Sequence, residues 1–151
     1  MQQPSINEDL RRLFVNQNYP YYARKWRQVD SWNWAAFFVG VGWMAYRKMY
    51  LYSWIFIAAV IVETILEIVL GVSGRLSNAI NLGIAAFVGS QGNSLYKAHV
   101  ETKVREIAPA GAQDEATRIR LAREGGTNVG AAFGFVVAFI VLVCLLTAIG
   151  G

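Results

Sequence analysis

Apolar residues in this chain gather into long blocks, separated by segments that hold almost all of the charge. Two blocks, Tyr50 to Val72 and Val129 to Ile149, meet the requirement of roughly 20 mostly apolar residues for a bilayer-crossing helix. A third, Ala79 to Leu95, is shorter and includes Asn81, Ser90, Gln91, Asn93 and Ser94, so it spans if neighbouring helices shield those groups. Trp34 to Tyr46 is apolar but short, and reads as a half-helix that is re-entrant or lies along the interface. The pattern predicts an all-α integral membrane protein with three transmembrane helices (50–72, 79–95, 129–149) and the half-helix at 34–46. Residues 1–33 form an amphipathic and aromatic amino-terminal segment, 34–151 the membrane domain, and 96–128 a cytoplasmic helical hairpin within it.

Outside the spans the period is helical. Ser5 and Glu8 have capping-box spacing, and Ile6, Leu10, Leu13 and Phe14 share one face, with Arg11 and Arg12 turned away from it. Such a helix docks a partner, senses lipid or simply packs on the protein's own surface. The run KAHVETKVREI continues the second span as a helix to Ile107, because no breaker intervenes before Pro109. His99, Lys103 and Glu106 follow one another on its surface as a solvated face, with His99 a candidate for titration near neutral pH. A short helix from Asp114 to Glu124 ends at Gly125 and Gly126, and Thr127 or Asn128 caps the last span.

Charge sets the orientation. Arg11, Arg12, Arg24, Lys25 and Arg27 precede the half-helix, Arg47 and Lys48 follow it, and Lys97, Lys103, Arg105, Arg118, Arg120 and Arg123 lie before the last span. If the half-helix returns to its starting side, thirteen of the 14 Lys and Arg residues are cytoplasmic and Arg75 alone is outside. The expected topology therefore has the amino terminus inside and the carboxyl terminus periplasmic or extracellular; a four-span threading would strand five cations outside. The first thirty residues are charged and have no apolar h-region, so no cleaved signal is expected.

Composition supports this class: 55% of residues are hydrophobic and 13% aromatic, more than a soluble core of 151 residues requires. The net charge of +4 is explained by orientation and anionic lipid rather than by nucleic acid, since residues 96–128 hold five acids against six bases. The single Cys144 excludes an internal disulfide, and one histidine without a cysteine cluster argues against a metal site. No cofactor is implied.

All five tryptophans and six of the seven tyrosines fall between residues 19 and 54. Rings with an apolar body and a polar tip partition to headgroup depth, so this segment reads as an interfacial collar, with Arg47 and Lys48 snorkelling to lipid headgroups at that level. The sharper alternative is an aromatic box for a cationic ligand. The glycine-rich loop before the last span offers a second lipid-phosphate contact through Arg123 and Thr127, with plain helix capping as the simpler account.

Glu63 and Glu67 are the strongest chemical cue. They lie one turn apart on one helix face, and Glu63 is about 20 Å along the helix from Tyr50 at ~1.5 Å per residue. An ionised group at that depth costs at least ~2.5 kcal/mol, so the pair must be protonated, paired or facing a polar cavity. With Asn81 on the next span they form a candidate ion or polar relay; the competing reading is an interhelical hydrogen bond that fixes packing. Gly126, Gly130 and Gly134 form a repeated GxxxG, and Gly89 lies on a small-residue face of the second span. Both faces suit close helix packing, within the monomer or between copies.

The run NWAAFFVGVGWMAYRKMYLYSW from Asn33, with YYARKW before it and REGGTN at Arg123 to Asn128, resembles a family of small bacterial membrane proteins of unknown function. The resemblance runs from Tyr19 onward and implies a bacterial inner-membrane protein, without a catalytic residue to carry over. Three functions stay open. One is a non-enzymatic interaction or accessory protein that contacts a membrane partner or lipids. Another is a small oligomeric channel or transporter for cations or protons using Glu63 and Glu67. The third is a membrane enzyme, disfavoured because no nucleophile, base and orienting group occur together.

Overall fold

A computed structural model of the chain describes residues 3–28, 31–111 and 114–150. Among these residues the fold is all-helical: α1 (Gln3–Val15), α2 (Tyr19–Lys25), α3 (Trp34–Val39), α4 (Val41–Tyr46), α5 (Tyr50–Leu70), α6 (Gly74–Ile107), α7 (Glu115–Glu124) and α8 (Val129–Gly150). Two helices, α5 and α8, supply the windows long and apolar enough to cross a membrane, with mean hydropathies of 2.2 and 2.9. Of those two windows, 17% and 0% respectively are buried within the chain, which is the reverse of a soluble core helix. The helix α6 has 34 residues but is more polar, and the structure does not establish it as a third span.

The punctuation is set by particular residues. Gly71 at φ +62° closes α5, with its own N–H and that of Val72 returning to the carbonyls of Ile68 and Glu67. Three residues then lead into α6, and the Ser77 hydroxyl on α6 bonds back to Glu67 on α5. Asn33 caps α3 by accepting from the Ala36 N–H at 2.9 Å. Asp114 caps α7 in the same way through Thr117. The Ser5 side chain lies outside the described residues, and the capping box with it.

The apolar stretch 34–46 is not one half-helix. Gly40 adopts φ +45° and ψ −106°, a conformation that side-chain-bearing residues avoid, and it breaks the stretch into α3 and α4. The two legs separate: α3 lies on α6, and α4 lies between α5 and α8. The near leg is held at Gly89 and Gly92, where a Cβ would meet the Trp32 and Phe37 side chains and that of Ala36. The far leg is held at Gly42, where a Cβ would lie 2.5 Å from a methyl of Val136. The break at Gly40 lies beside Phe56, whose ring a Cβ there would meet at 3.5 Å.

The two ends of the molecule differ. At the packed end, where α5 and α8 begin, Leu10, Phe14, Tyr22, Trp43, Met49, Tyr96, Val100, Val104 and Leu121 form one buried cluster drawn from α1, α2, α4, α6 and α7. Phe14 and Leu10 therefore face this protein core. At the open end, Leu66, Val69, Leu70, Leu76, Leu82, Val141 and Leu145 are exposed.

Candidate functional site

Two polar constellations are enclosed by apolar surroundings, one at each end. At the packed end the turn between α4 and α5 puts Arg47 inside the aromatic cluster. Its guanidinium carbon lies 4.7, 5.1 and 5.5 Å from the ring centroids of Tyr22, Tyr46 and Tyr96. Arg47 is 6% exposed, and its Nε and Nη1 have no hydrogen-bond partner. Tyr22 and Tyr96 meet edge to face at 4.6 Å, and the Tyr96 hydroxyl is also buried without a partner. Burial raises both phenols above their ordinary range, and the nearby Arg47 charge offsets part of that. The chain's own cation fills this aromatic box, and Arg47 does not snorkel to a headgroup.

The same turn joins three parts of the molecule. Lys48, at φ +58°, donates from Nζ to the Arg123 carbonyl at 2.8 Å. The Tyr46 carbonyl accepts from the Asn128 N–H, while the Asn128 side chain donates to the Tyr50 hydroxyl and caps α8 through the Ala131 N–H. Asn128, not Thr127, is the cap that the side-chain bonds identify. The Gly126 N–H is bonded to the Phe14 carbonyl, so the glycine turn clasps the end of α1 and that donor does not face an anion. Lys48 likewise fastens α7 to the turn. Thr127 and the Arg123 side chain are exposed.

A second clamp lies beside it. The Asn33 side chain donates to Asn93 at 3.0 Å, Asn93 donates to the Ser31 carbonyl, the Asn33 N–H bonds the Gly89 carbonyl, and Trp26 donates its indole N–H to the Asn93 carbonyl. Asn33 and Asn93 are buried, and the network satisfies their amides where α3 starts against α6. Sequence reasoning noted Asn93 only as polar ballast in a span. Its signal was the asparagine at the head of the NWAAFF motif, with no way to tell what it faced.

At the open end the Ser77 hydroxyl donates to Glu67 Oε2 at 2.7 Å, linking α6 to α5. Glu63 Oε1 and Glu67 Oε1 are covered and have no partner. Both glutamates line a groove of 590 Å³ with Ala59, Val62, Leu66 and Ile80. Asn81 does not join that groove; it bonds back to Ser77 and lines a separate apolar crevice under Gly40. Arg75 is exposed, and the ion pairs among the described residues are Arg11–Glu101, Lys103–Glu106 and Arg120–Glu124.

The glycine faces divide. Gly89 is a close-packing position, whereas a Cβ at Gly126 or Gly134 would meet nothing within 4 Å, and one at Gly130 only the chain's own Asn128. The GxxxG face is therefore not used inside the monomer. His99 stacks on Tyr96 and touches the rings of Phe14 and Tyr52; burial, with the Lys103 charge, lowers it to about 4, so it is neutral at physiological pH.

No curated protein and no solved structure matches the chain. A family model described as a protein of unknown function (DUF2628) matches residues 3–102. That range takes in α1, α2, the broken hairpin, α5 and most of α6, hence Arg47, the Asn33–Asn93 clamp and both glutamates; REGGTN lies beyond it. The chain belongs to the DUF2628 family of proteins of unknown function.

Proposed function

We propose that the chain is a non-enzymatic accessory or interaction protein of the bacterial inner membrane, anchored by three spans with its amino terminus cytoplasmic and its carboxyl terminus outside. In this reading α6 is the third span, and its polar groups are sheltered by α3 through the Asn33–Asn93 clamp. The observation that carries the proposal is the groove at the open end. It exposes an apolar wall, and the two acids that line it each keep a covered carboxylate oxygen without a partner, at a depth where an unpaired acid is costly. The apolar segments 50–72, 76–95 and 129–150 contain no Lys or Arg, so a second copy offers these acids no cation at that depth. A membrane helix of another protein, laid along the apolar wall and shielding the two acids, completes the groove.

Affinity purification in mild detergent, with particle mass and identification of co-purifying chains, tests this. A mixed complex whose recovery falls when Glu63→Gln and Glu67→Gln are combined supports the accessory role. A symmetric homo-oligomer that conducts ions in vesicles, and loses conduction in the same double variant, replaces it with the channel or transporter reading. One observation favours that alternative: Asn81, Ser77 and Glu67 are connected by hydrogen bonds, which carries polarity from α6 to the acids of α5.

A further inference from the structure

We infer that the groove between α1 and α2 binds the headgroup of an anionic phospholipid through Arg12, Arg24 and Arg27. This rests on the membrane reading above and adds a site to it. The open groove has a volume of about 930 Å³, far more than a lone anion fills, and Leu13, Tyr19 and Ala23 give its lining apolar surface. The three arginines line it together with Glu8, so among the described residues the lining holds three positive charges and one negative. Arg12 is already steered over the Tyr19 ring, at 5.4 Å from its centroid, which keeps its remaining donors close to the groove. All three cations are arginines, whose planar forks match a phosphate through paired hydrogen bonds where a lysine offers a point charge.

Depth selects the occupant. Trp26 sits between Arg24 and Arg27 and donates to the Asn93 carbonyl, and Lys25 donates to the Trp32 carbonyl. These bonds hold the end of α2 beside the part of α6 where the apolar stretch gives way to the basic KAHVETKVREI helix. With α5 and α8 across the bilayer, that level is the headgroup layer, where phosphates are abundant and the anionic leaflet attracts basic groups. The phosphate meets the arginines and the glycerol region meets the apolar part of the lining. An acidic segment of a soluble protein fits the charge but not the depth.

The test uses the full chain purified in detergent, with bound lipid measured by native mass spectrometry against phosphatidylglycerol and phosphatidylcholine. The parent protein prefers phosphatidylglycerol. The combined Arg12→Gln, Arg24→Gln and Arg27→Gln variant loses about a hundredfold of that preference, at about fivefold for each charge near an anionic layer. Arg105→Gln with Arg118→Gln, on exposed surfaces elsewhere, leaves it unchanged. If the triple variant does not fold, each single variant reads the fivefold step. A triple variant with the parent's melting temperature and the parent's preference overturns the site. Displacement of the lipid by equimolar inorganic phosphate, or tighter binding of a polyglutamate peptide than of phosphatidylglycerol vesicles, also overturns it. Alkaline carbonate washing separates this inference from its foundation. Release of the chain from membranes overturns both, whereas retention with an unchanged preference in the triple variant overturns the site alone.

Discussion

The guanidinium carbon of Arg47 lies 4.7 Å from the centroid of Tyr22, inside the protein and without a carboxylate facing it. A buried charge held by ring faces recovers about 2 kcal/mol per good contact, against a desolvation cost of several. Removing the charge while keeping its volume should therefore be harmless. Arg47→Met is expected within about 1 kcal/mol of the parent, or above it, in denaturant unfolding in detergent. Tyr22→Ala, which opens a cavity in the same cluster, is expected to lose about 3–5 kcal/mol. An Arg47→Met variant as damaged as Tyr22→Ala would show that the guanidinium has a bonded partner after all.

Glycines separate the packed from the open surfaces in a second test. A Cβ at Gly125 would collide with the Phe14 backbone, which cannot move without undoing the contact between α1 and α7, so Gly125→Ala is expected to cost more than about 3 kcal/mol. Gly134 has open space around it in α8, and Gly134→Ala is expected to leave monomer stability unchanged or raise it by up to about 1 kcal/mol. Melting temperatures in one detergent decide both. A destabilised Gly134→Ala accompanied by a smaller particle mass would place that face in an interface between chains.

His99 gives stability a definite slope with pH. Its folded value is about 4, lowered by burial and by Lys103, against an ordinary value near 6.5. Between those values the unfolded chain binds the proton and the folded chain does not, so stability rises with pH through this window and is lost on acidification from about 6.5 towards 4. Allowing for screening by water that still reaches the half-buried ring, the loss is roughly 2 kcal/mol. Glu106, whose own carboxyl is held low by Lys103, opposes the shift only weakly. His99→Gln should flatten the dependence of melting temperature on pH between pH 7 and 4.5; an equal slope in parent and variant would assign it to other groups.

Hydropathy made the long helices legible, because a run of apolar residues has the same meaning wherever it sits. The extension of α6 to Ile107 follows from Pro109, and the start of α8 from a cap at Thr127 or Asn128; hydropathy runs the first span two residues past the end of α5 at Leu70 and begins the second at Ala79, where α6 starts at Gly74. The break at Gly40 was not visible in the stretch 34–46, which reads as one half-helix, since a single glycine inside an apolar run is also compatible with an unbroken helix. Arg47 was misplaced for a different reason. A cation at the edge of an apolar block has snorkelling as its default, and the tyrosines that bury it come from residues 22 and 96, far away in the sequence. The acids at 63 and 67 were found from spacing, but Ser77 as their partner required knowing how the turn at Gly71 sets one helix against the other.

Topology is the prediction on which the rest depends. With Cys144→Ser as background, single cysteines at Arg24 and Lys103 should resist a membrane-impermeant maleimide in intact cells and react after lysis, while one at Ser73, in the exposed turn between α5 and α6, should react at once. Both internal sites belong to the packed end: α2 and the lower part of α6 share the cluster around Tyr22 and Tyr96. No membrane can pass between them without tearing that cluster apart. Opposite labelling of Arg24→Cys and Lys103→Cys would thus contradict the fold as well as the orientation. Protection of Ser73→Cys alone would contradict only the reading of α5 as a span that carries Glu63 to mid-bilayer.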